Sequence, residues 1–179
     1  MQFARSRSVR GPAAALAVLT LGAALVAAPS ASAQPQVHVC SLNEFEMRID
    51  SDGNATGSAS GSCQTPLQSD IRRATVEMEG TGSSTALTAT SNTHDTWTFW
   101  DGNNNPVATV VADERRDYTG PNGTVLETGS AGLLSGEPFT GCTEAEVGTA
   151  TRSAANNAIT IQRIDNVVPN LDVGFNCEE

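Results

Sequence analysis

Thr-Trp-Thr-Phe-Trp-Asp-Gly-Asn-Asn-Asn-Pro-Val-Ala-Thr-Val-Val, residues 96–111, is the stretch whose reading decides the fold. Two β-rich runs flank a segment, 101–106, in which nearly every residue favours a turn, so the stretch reads as a hairpin. Trp97 and Phe99 alternate with Thr96 and Thr98. In a pleated strand those two sets face opposite ways, one toward a core and one toward water. The same period recurs outward from the hairpin. Phe45, Met47 and Ile49 sit between Glu44, Glu46, Arg48 and Asp50, and Ala74, Val76 and Met78 alternate with Thr75, Glu77 and Glu79. Leu171, Val173, Phe175 and Cys177 alternate with Asp172, Gly174 and Asn176. Leu87 and Ala89 carry the pattern too, and further strands are expected over 56–63, 124–129, 146–152 and 158–164. No window shows a helical apolar stripe, and 143–147 amounts to one helical turn at most. The chain therefore reads as all-β: an antiparallel β-sandwich or barrel of about eight or nine short strands. Residues 118–123 and 135–141 read as loops, and Arg115-Arg116-Asp117 as a solvated hairpin end.

Residues 1–33 have the three parts of a secretory signal peptide. Arg5, Arg7 and Arg10 form a basic head, 13–28 is an apolar run, and Ala31-Ser32-Ala33 is the small-residue cleavage pattern. The run is shorter than the roughly 20 residues that span a bilayer. The expectation is a secreted, extracellular protein whose mature part, 34–179, is a single all-β domain of ordinary size. Its four cysteines then read as two disulfides, since the spacing lacks the tight pairs of a zinc site. Of three possible connectivities the local, uncrossed one is favoured: Cys40–Cys63 and Cys142–Cys177.

Without the leader the chain keeps seven arginines, no lysine and twenty acidic residues, a net charge of −13. Such a surface repels nucleic acid and anionic lipid, so no nucleic-acid partner is expected. No second apolar stretch follows the leader, so membrane insertion is not expected either. Catalytic constellations fail one by one. His94-Asp95 has the residue types of a relay, but neighbours in sequence point apart on a strand, and no nucleophile elbow occurs. His38 lies between Val37 and Val39 and reads as facing water. Asp50-Ser51-Asp52-Gly53-Asn54 resembles the opening of a calcium loop, yet Ala55 and Gly61 stand where that loop needs Gly and Glu, so it reads as a turn. No enzyme activity, no cofactor and no metal are expected.

What remains is a binding surface. Trp97 and Trp100 differ in parity, so one is core. Trp100, beside the turn, either covers a sheet edge or the hairpin base or lies at the surface as an anchor for a partner. Val37 and Val39 lie on an N-terminal arm that serves as the domain's own first strand or adds to a partner's sheet. Tyr118 and Phe139 lie in the two loops. Val37, Val39, Trp100, Tyr118 and Phe139 are the candidate interaction surface.

Several stretches carry a resemblance across the mature chain. They are Gly-Ser-Ala-Ser-Gly-Ser-Cys at 57–63, Gly-Thr-Gly at 80–82, Thr-Trp-Thr-Phe-Trp-Asp-Gly at 96–102 and Thr-Gly at 128–129. Ser-Gly-Glu-Pro-Phe-Thr-Gly at 135–141, Cys142, Val-Gly-Thr-Ala-Thr at 147–151 and Ile-Thr-Ile at 159–161 complete the set. On these the chain resembles a loose family of small secreted, disulfide-containing all-β proteins of actinobacteria, mostly without assigned activity. It departs slightly at Trp100-Asp101-Gly102 and at Pro138 before Phe139. The chain is also similar in kind to adaptor subunits of large secreted bacterial toxin particles. The resemblance implies a non-catalytic interaction domain with another extracellular protein as partner. Two rivals stay open: a small-ligand carrier of the chromoprotein-sandwich type, and an extracellular protease inhibitor presenting 118–123 or 135–141.

Overall fold

The computed structural model describes residues 36–64, 70–163 and 171–177. Nine strands run through them: β1 (Gln36–Ile49), β2 (Asn54–Gln64), β3 (Arg73–Ser84), β4 (Thr88–Trp100), β5 (Pro106–Thr119), β6 (Gly123–Ala131), β7 (Thr143–Ala155), β8 (Ala158–Arg163) and β9 (Leu171–Cys177). No helix occurs among the described residues. From β1 to β8 every strand pairs antiparallel with its neighbour in sequence, and β1 returns to pair with β8. The sheet closes on itself, which makes the fold a barrel rather than a sandwich.

β8 and β9 share one position in the wall. β8 pairs with the second half of β1 and of β7, Phe45–Ile49 and Thr151–Ala155. β9 pairs with their first halves, Gln36–Leu42 and Thr143–Val147. At every level the barrel is therefore eight ribbons around, wide enough for side chains to fill the lumen. One end carries the β1–β2, β3–β4, β5–β6 and β7–β8 turns. At the other end β1 starts and β9 finishes, beside the β4–β5 turn and the long β6–β7 connection.

Two turns repeat one device. The Asp50 carboxylate accepts the N–H groups of Asp52 and Asn54, each at 2.9 Å, and Asp101 accepts those of Asn103 and Asn105 at 2.8 and 2.9 Å. These hydrogen bonds hold both carboxyls below their ordinary pKa, Asn54 and Asn105 contributing most. Such Asx cradles replace the missing backbone pairing of a tight turn. The Asp50 segment is thus a hairpin turn, as the spacing indicated.

A β-bulge decides which way β1 faces. Its register against β2 slips between Leu42 and Glu44, leaving Asn43 as the extra residue. His38, Cys40 and Leu42 face inward before the bulge, and Phe45, Met47 and Ile49 after it. His38 is fully buried, edge-on to Phe139 at 5.5 Å, rather than facing water. Its parity with Cys40, whose disulfide lies inside, overrides the apolar character of Val37 and Val39.

The strands are longer than the alternation suggests. β4 has 13 residues and β5 has 14. His94 is mid-strand and outward, hydrogen-bonded to Asp113 at 2.9 Å, while Asp95 points inward. Residues 143–147 begin β7 and are not a helical turn. Arg115-Arg116-Asp117 lies within β5, so it is no hairpin end. Residues 118–123 comprise the end of β5, a turn and the start of β6.

Both disulfides form as expected, Cys40–Cys63 between paired residues of β1 and β2, and Cys142–Cys177 between the start of β7 and the end of β9. Beside them an aromatic cluster fills one end of the lumen. Phe139 lies 4.8 Å from Phe99 and 4.9 Å from Phe175, and Trp97 meets Phe175 edge-on at 5.2 Å. Such pairs add to the area they bury. Phe139 comes from the β6–β7 connection, which is tied to β5 by reciprocal backbone bonds between Val111 and Ser135.

Candidate functional site in the barrel lumen

The inward faces of β4, β5 and β7 are part apolar and part charged. Asp95 precedes Trp97 and Phe99 on β4; Glu114 and Arg116 follow Val110 and Ala112 on β5; Glu144 and Glu146 open β7, ahead of Ala150. All are buried. Arg116 is the hub. Its Nε donates to Glu146 Oε1 at 2.7 Å, and its terminal nitrogens donate to Asp95 Oδ2 at 2.7 Å, Glu114 Oε2 at 2.5 Å and Thr93 Oγ1 at 3.1 Å. Burial pulls against the guanidinium's charge, but Glu114, Glu146 and Asp95 outweigh it and hold Arg116 ionised.

The carboxylates respond oppositely. Burial raises Glu114 well above its ordinary value and raises Glu146, in both cases against the pull of Arg116. Glu144 is pushed up to about 8 by burial and then by Glu146. Among the described residues neither of its oxygens meets an N–H donor. The Glu114 carboxyl stands beside it, with one oxygen of each within 4.8 Å of the other.

Two further arginines complete the lumen. Arg163 on β8 donates to Glu127 Oε2 at 2.5 Å and to the Thr149 carbonyl at 2.9 Å, with its guanidinium over Phe45. Arg152 on β7 donates to the Gly120 carbonyl at 2.9 Å and to the carbonyls of Thr85 and Ala86. It thereby ties the β3–β4 and β5–β6 turns across the barrel end. Tyr118 lies beneath them, its hydroxyl pKa raised by burial and then by Glu127.

The residues expected to form an interaction surface are scattered by the fold. Tyr118 and Phe139 are corrections: both are core, 1% and 0% exposed, because β5 turns Tyr118 inward and the β6–β7 connection drives Phe139 into the barrel mouth. Trp97 is the core tryptophan. Trp100 lies on the outer wall, half-buried, with Nε1 donating to Thr75 Oγ1 at 3.0 Å and Arg73 over its ring. Val39 is on the outer wall of β1, exposed. Trp100 pairs with Arg73, Arg73 with Ser62 and Ser62 with Ser41. β1 is thus three strands from Trp100, about 14 Å around the wall. Val37 pairs with Asn176, so the arm is the domain's own first strand; the Val37 side chain lies outside the described residues.

The charged lumen escaped the sequence reading, although a signal existed. Asp95 shares parity with Trp97 and Phe99, Arg116 with Val110 and Tyr118, and Glu146 with Ala150. No protein-family model, curated protein or solved structure matches this chain.

Proposed function

We propose that this protein is a secreted, non-catalytic binding module that engages another extracellular protein through its outer wall, as an adaptor subunit does. The observation that carries this reading is the filled lumen. The groups capable of acid–base chemistry inside, from Asp95 to Glu146, are buried between an aromatic plug and a belt of turns. Trp97, Phe99, Phe139 and Phe175 occupy the volume where a carrier would hold cargo, and the aromatics an inhibitor would present from 118–123 or 135–141 are core. The two disulfides suit an oxidising compartment.

The outer wall offers two kinds of surface. A groove of about 420 Å³ is lined by Glu44, Glu46, Ser58, Ser60, Thr75 and Glu77 among others. Outward charges of this kind weigh against a lipid-facing wall, where each is costly, and so support the reading of a wall that meets water or a protein. Across β1, β9, β7 and β6 runs a strip of exposed apolar residues. Val39 pairs with Gly174 and Gly174 with Ala145; Val147 follows on β7, and Leu126 lies diagonal to it on β6. Val147 is 58% and Leu126 51% exposed, and Gly174 puts no side chain between Val39 and Ala145. A flat, apolar strip within an acidic surface fits a protein partner.

The test is recovery of the protein from culture medium under native conditions. Its mass by light scattering is expected to exceed that of one chain. The double variant Val147→Asp/Leu126→Asp is expected to run as a monomer with an unchanged unfolding temperature. A strictly monomeric wild type overturns the reading.

A further inference from the structure

The lumen holds more negative charge than its arginines balance. Around Arg116 stand Asp95, Glu114, Glu144 and Glu146, none more than 4% exposed. One guanidinium against four carboxylates leaves a deficit that a low-dielectric interior does not tolerate bare. Arg116 engages one oxygen each of Asp95, Glu114 and Glu146. Among the described residues the second oxygens, Asp95 Oδ1, Glu114 Oε1 and Glu146 Oε2, meet no donor.

Glu144 is a separate observation. It takes no part in the Arg116 hydrogen bonds, it is buried, and among the described residues neither of its oxygens has an N–H donor. Yet it is aimed at the others: one oxygen from each of Glu114, Glu144 and Glu146 lies within 4.8 Å of the other two. A cation with oxygen contacts of roughly 2.3–2.6 Å bridges that spacing. The wall beside them is glycine. A Cβ at Gly129 would stand 2.5 Å from Glu146 Oε1 and 2.7 Å from Glu114 Oε1, so only glycine leaves the carboxylates their room.

We infer that Glu114, Glu144 and Glu146 form a binding site for one hard divalent cation of the calcium class inside the barrel. The donors are all anionic oxygens, without thiolate or imidazole, which selects hard cations. Their irregular placement beside a fixed guanidinium suits calcium's flexible coordination better than the near-octahedral demand of magnesium. The cation replaces the mutual repulsion of Glu114, Glu144 and Glu146 with attraction to one shared charge. The closed lumen means that the ion enters as the barrel folds. This site does not depend on the outer-wall reading, and it reverses the expectation of no metal drawn from the failed calcium-loop motif.

The protein is unfolded in guanidinium with disulfides intact and refolded with calcium chloride or with chelator. Gel filtration follows, then metal analysis by plasma emission and thermal unfolding. The expected result is one calcium per chain after refolding with calcium, and a higher unfolding temperature than after refolding with chelator. Glu144→Gln keeps the side chain's shape and supplies an N–H donor to the free oxygens. It is expected to lower calcium content at least about tenfold and remove the temperature difference. Glu79→Gln on the outer wall is expected to change neither. Absence of calcium from the refolded wild type overturns the site and leaves protons as the neutralising charge. Full calcium content in Glu144→Gln, or its loss in Glu79→Gln, also overturns it. The wild-type measurement decides the matter even where Glu144→Gln does not fold.

Discussion

Arg115 and Arg116 are adjacent, identical in type and opposite in consequence. Arg115 lies on the outer wall, paired with Asp117 at 2.9 Å in water, while Arg116 lies inside among four buried carboxylates. Exposed pairs contribute little, because solvent already screens the charges. A buried guanidinium is different: removing it takes away the hydrogen-bonded counter-charge that Asp95, Glu114 and Glu146 share. Arg116→Met is therefore expected to destabilise the barrel by about 3–5 kcal/mol in guanidinium denaturation with disulfides intact. Arg115→Met is expected to leave the midpoint where it was. Equal effects from the two variants would refute the assignment of Arg116 as the hub. Parity along β5 made the difference readable in principle, since Arg116 stands two residues from Tyr118 and four from Ala112. The run Asp113-Glu114-Arg115-Arg116-Asp117 concealed it, because consecutive charges ordinarily mark a solvated turn.

At the scale of elements, the wall is a meander in which local pairing does most of the work, and the disulfides secure its two outermost strands. Cys40–Cys63 joins β1 to β2, and Cys142–Cys177 joins β9 to β7. They close loops with sequence separations of 23 and 35. Chain entropy gives roughly 3–4 kcal/mol for each. Cys142→Ala/Cys177→Ala is expected to lose about that much by chemical denaturation, with the far-ultraviolet β signature retained at low denaturant. A loss below about 1 kcal/mol would show that β9 is held by its pairing alone. The hairpins, the Asx turns and the strand identities were legible, because alternation and turn chemistry are local. Strand lengths were not: β4 and β5 carry Ser91, Thr93, Asp95, Glu114 and Arg116 on their inward faces, which breaks the apolar alternation that marks a strand.

For the whole molecule, the charged lumen makes stability depend on pH in an unusual sense. Glu127 faces Arg163 from β8, Glu146 from β7 and Arg116 from β5; burial, then Glu146, raises its carboxyl from 4.5 to about 7. The folded state therefore holds this proton more tightly than the unfolded chain. The contribution is complete below about pH 4.5 and is lost as the pH rises through about 7. His38 acts in the other direction. Burial against Phe139 lowers its pKa from 6.5, so its contribution is present above that value and lost on acidification. In metal-free buffer the unfolding temperature is expected to peak at mildly acid pH and to fall toward pH 8, and Glu127→Gln is expected to flatten the fall. An unfolding temperature that rises steadily to pH 8 would contradict this account.

The sequence by itself determined that the chain is all-β and where the turns at 50–54 and 101–106 lie, because alternation and turn chemistry rest on neighbours within one strand or hairpin. It favoured the cysteine pairing that forms without fixing it. The tertiary structure alone decided that the sheet closes into a barrel. That closure needs β1 to meet β8 and β9 from more than a hundred residues away. It also decided which faces point inward, through one extra residue at Asn43. Closure then gathers charges from β4, β5, β6, β7 and β8 into a single enclosed space. No periodicity within a strand reports that gathering, since each charged residue finds its counter-charges mainly on other strands.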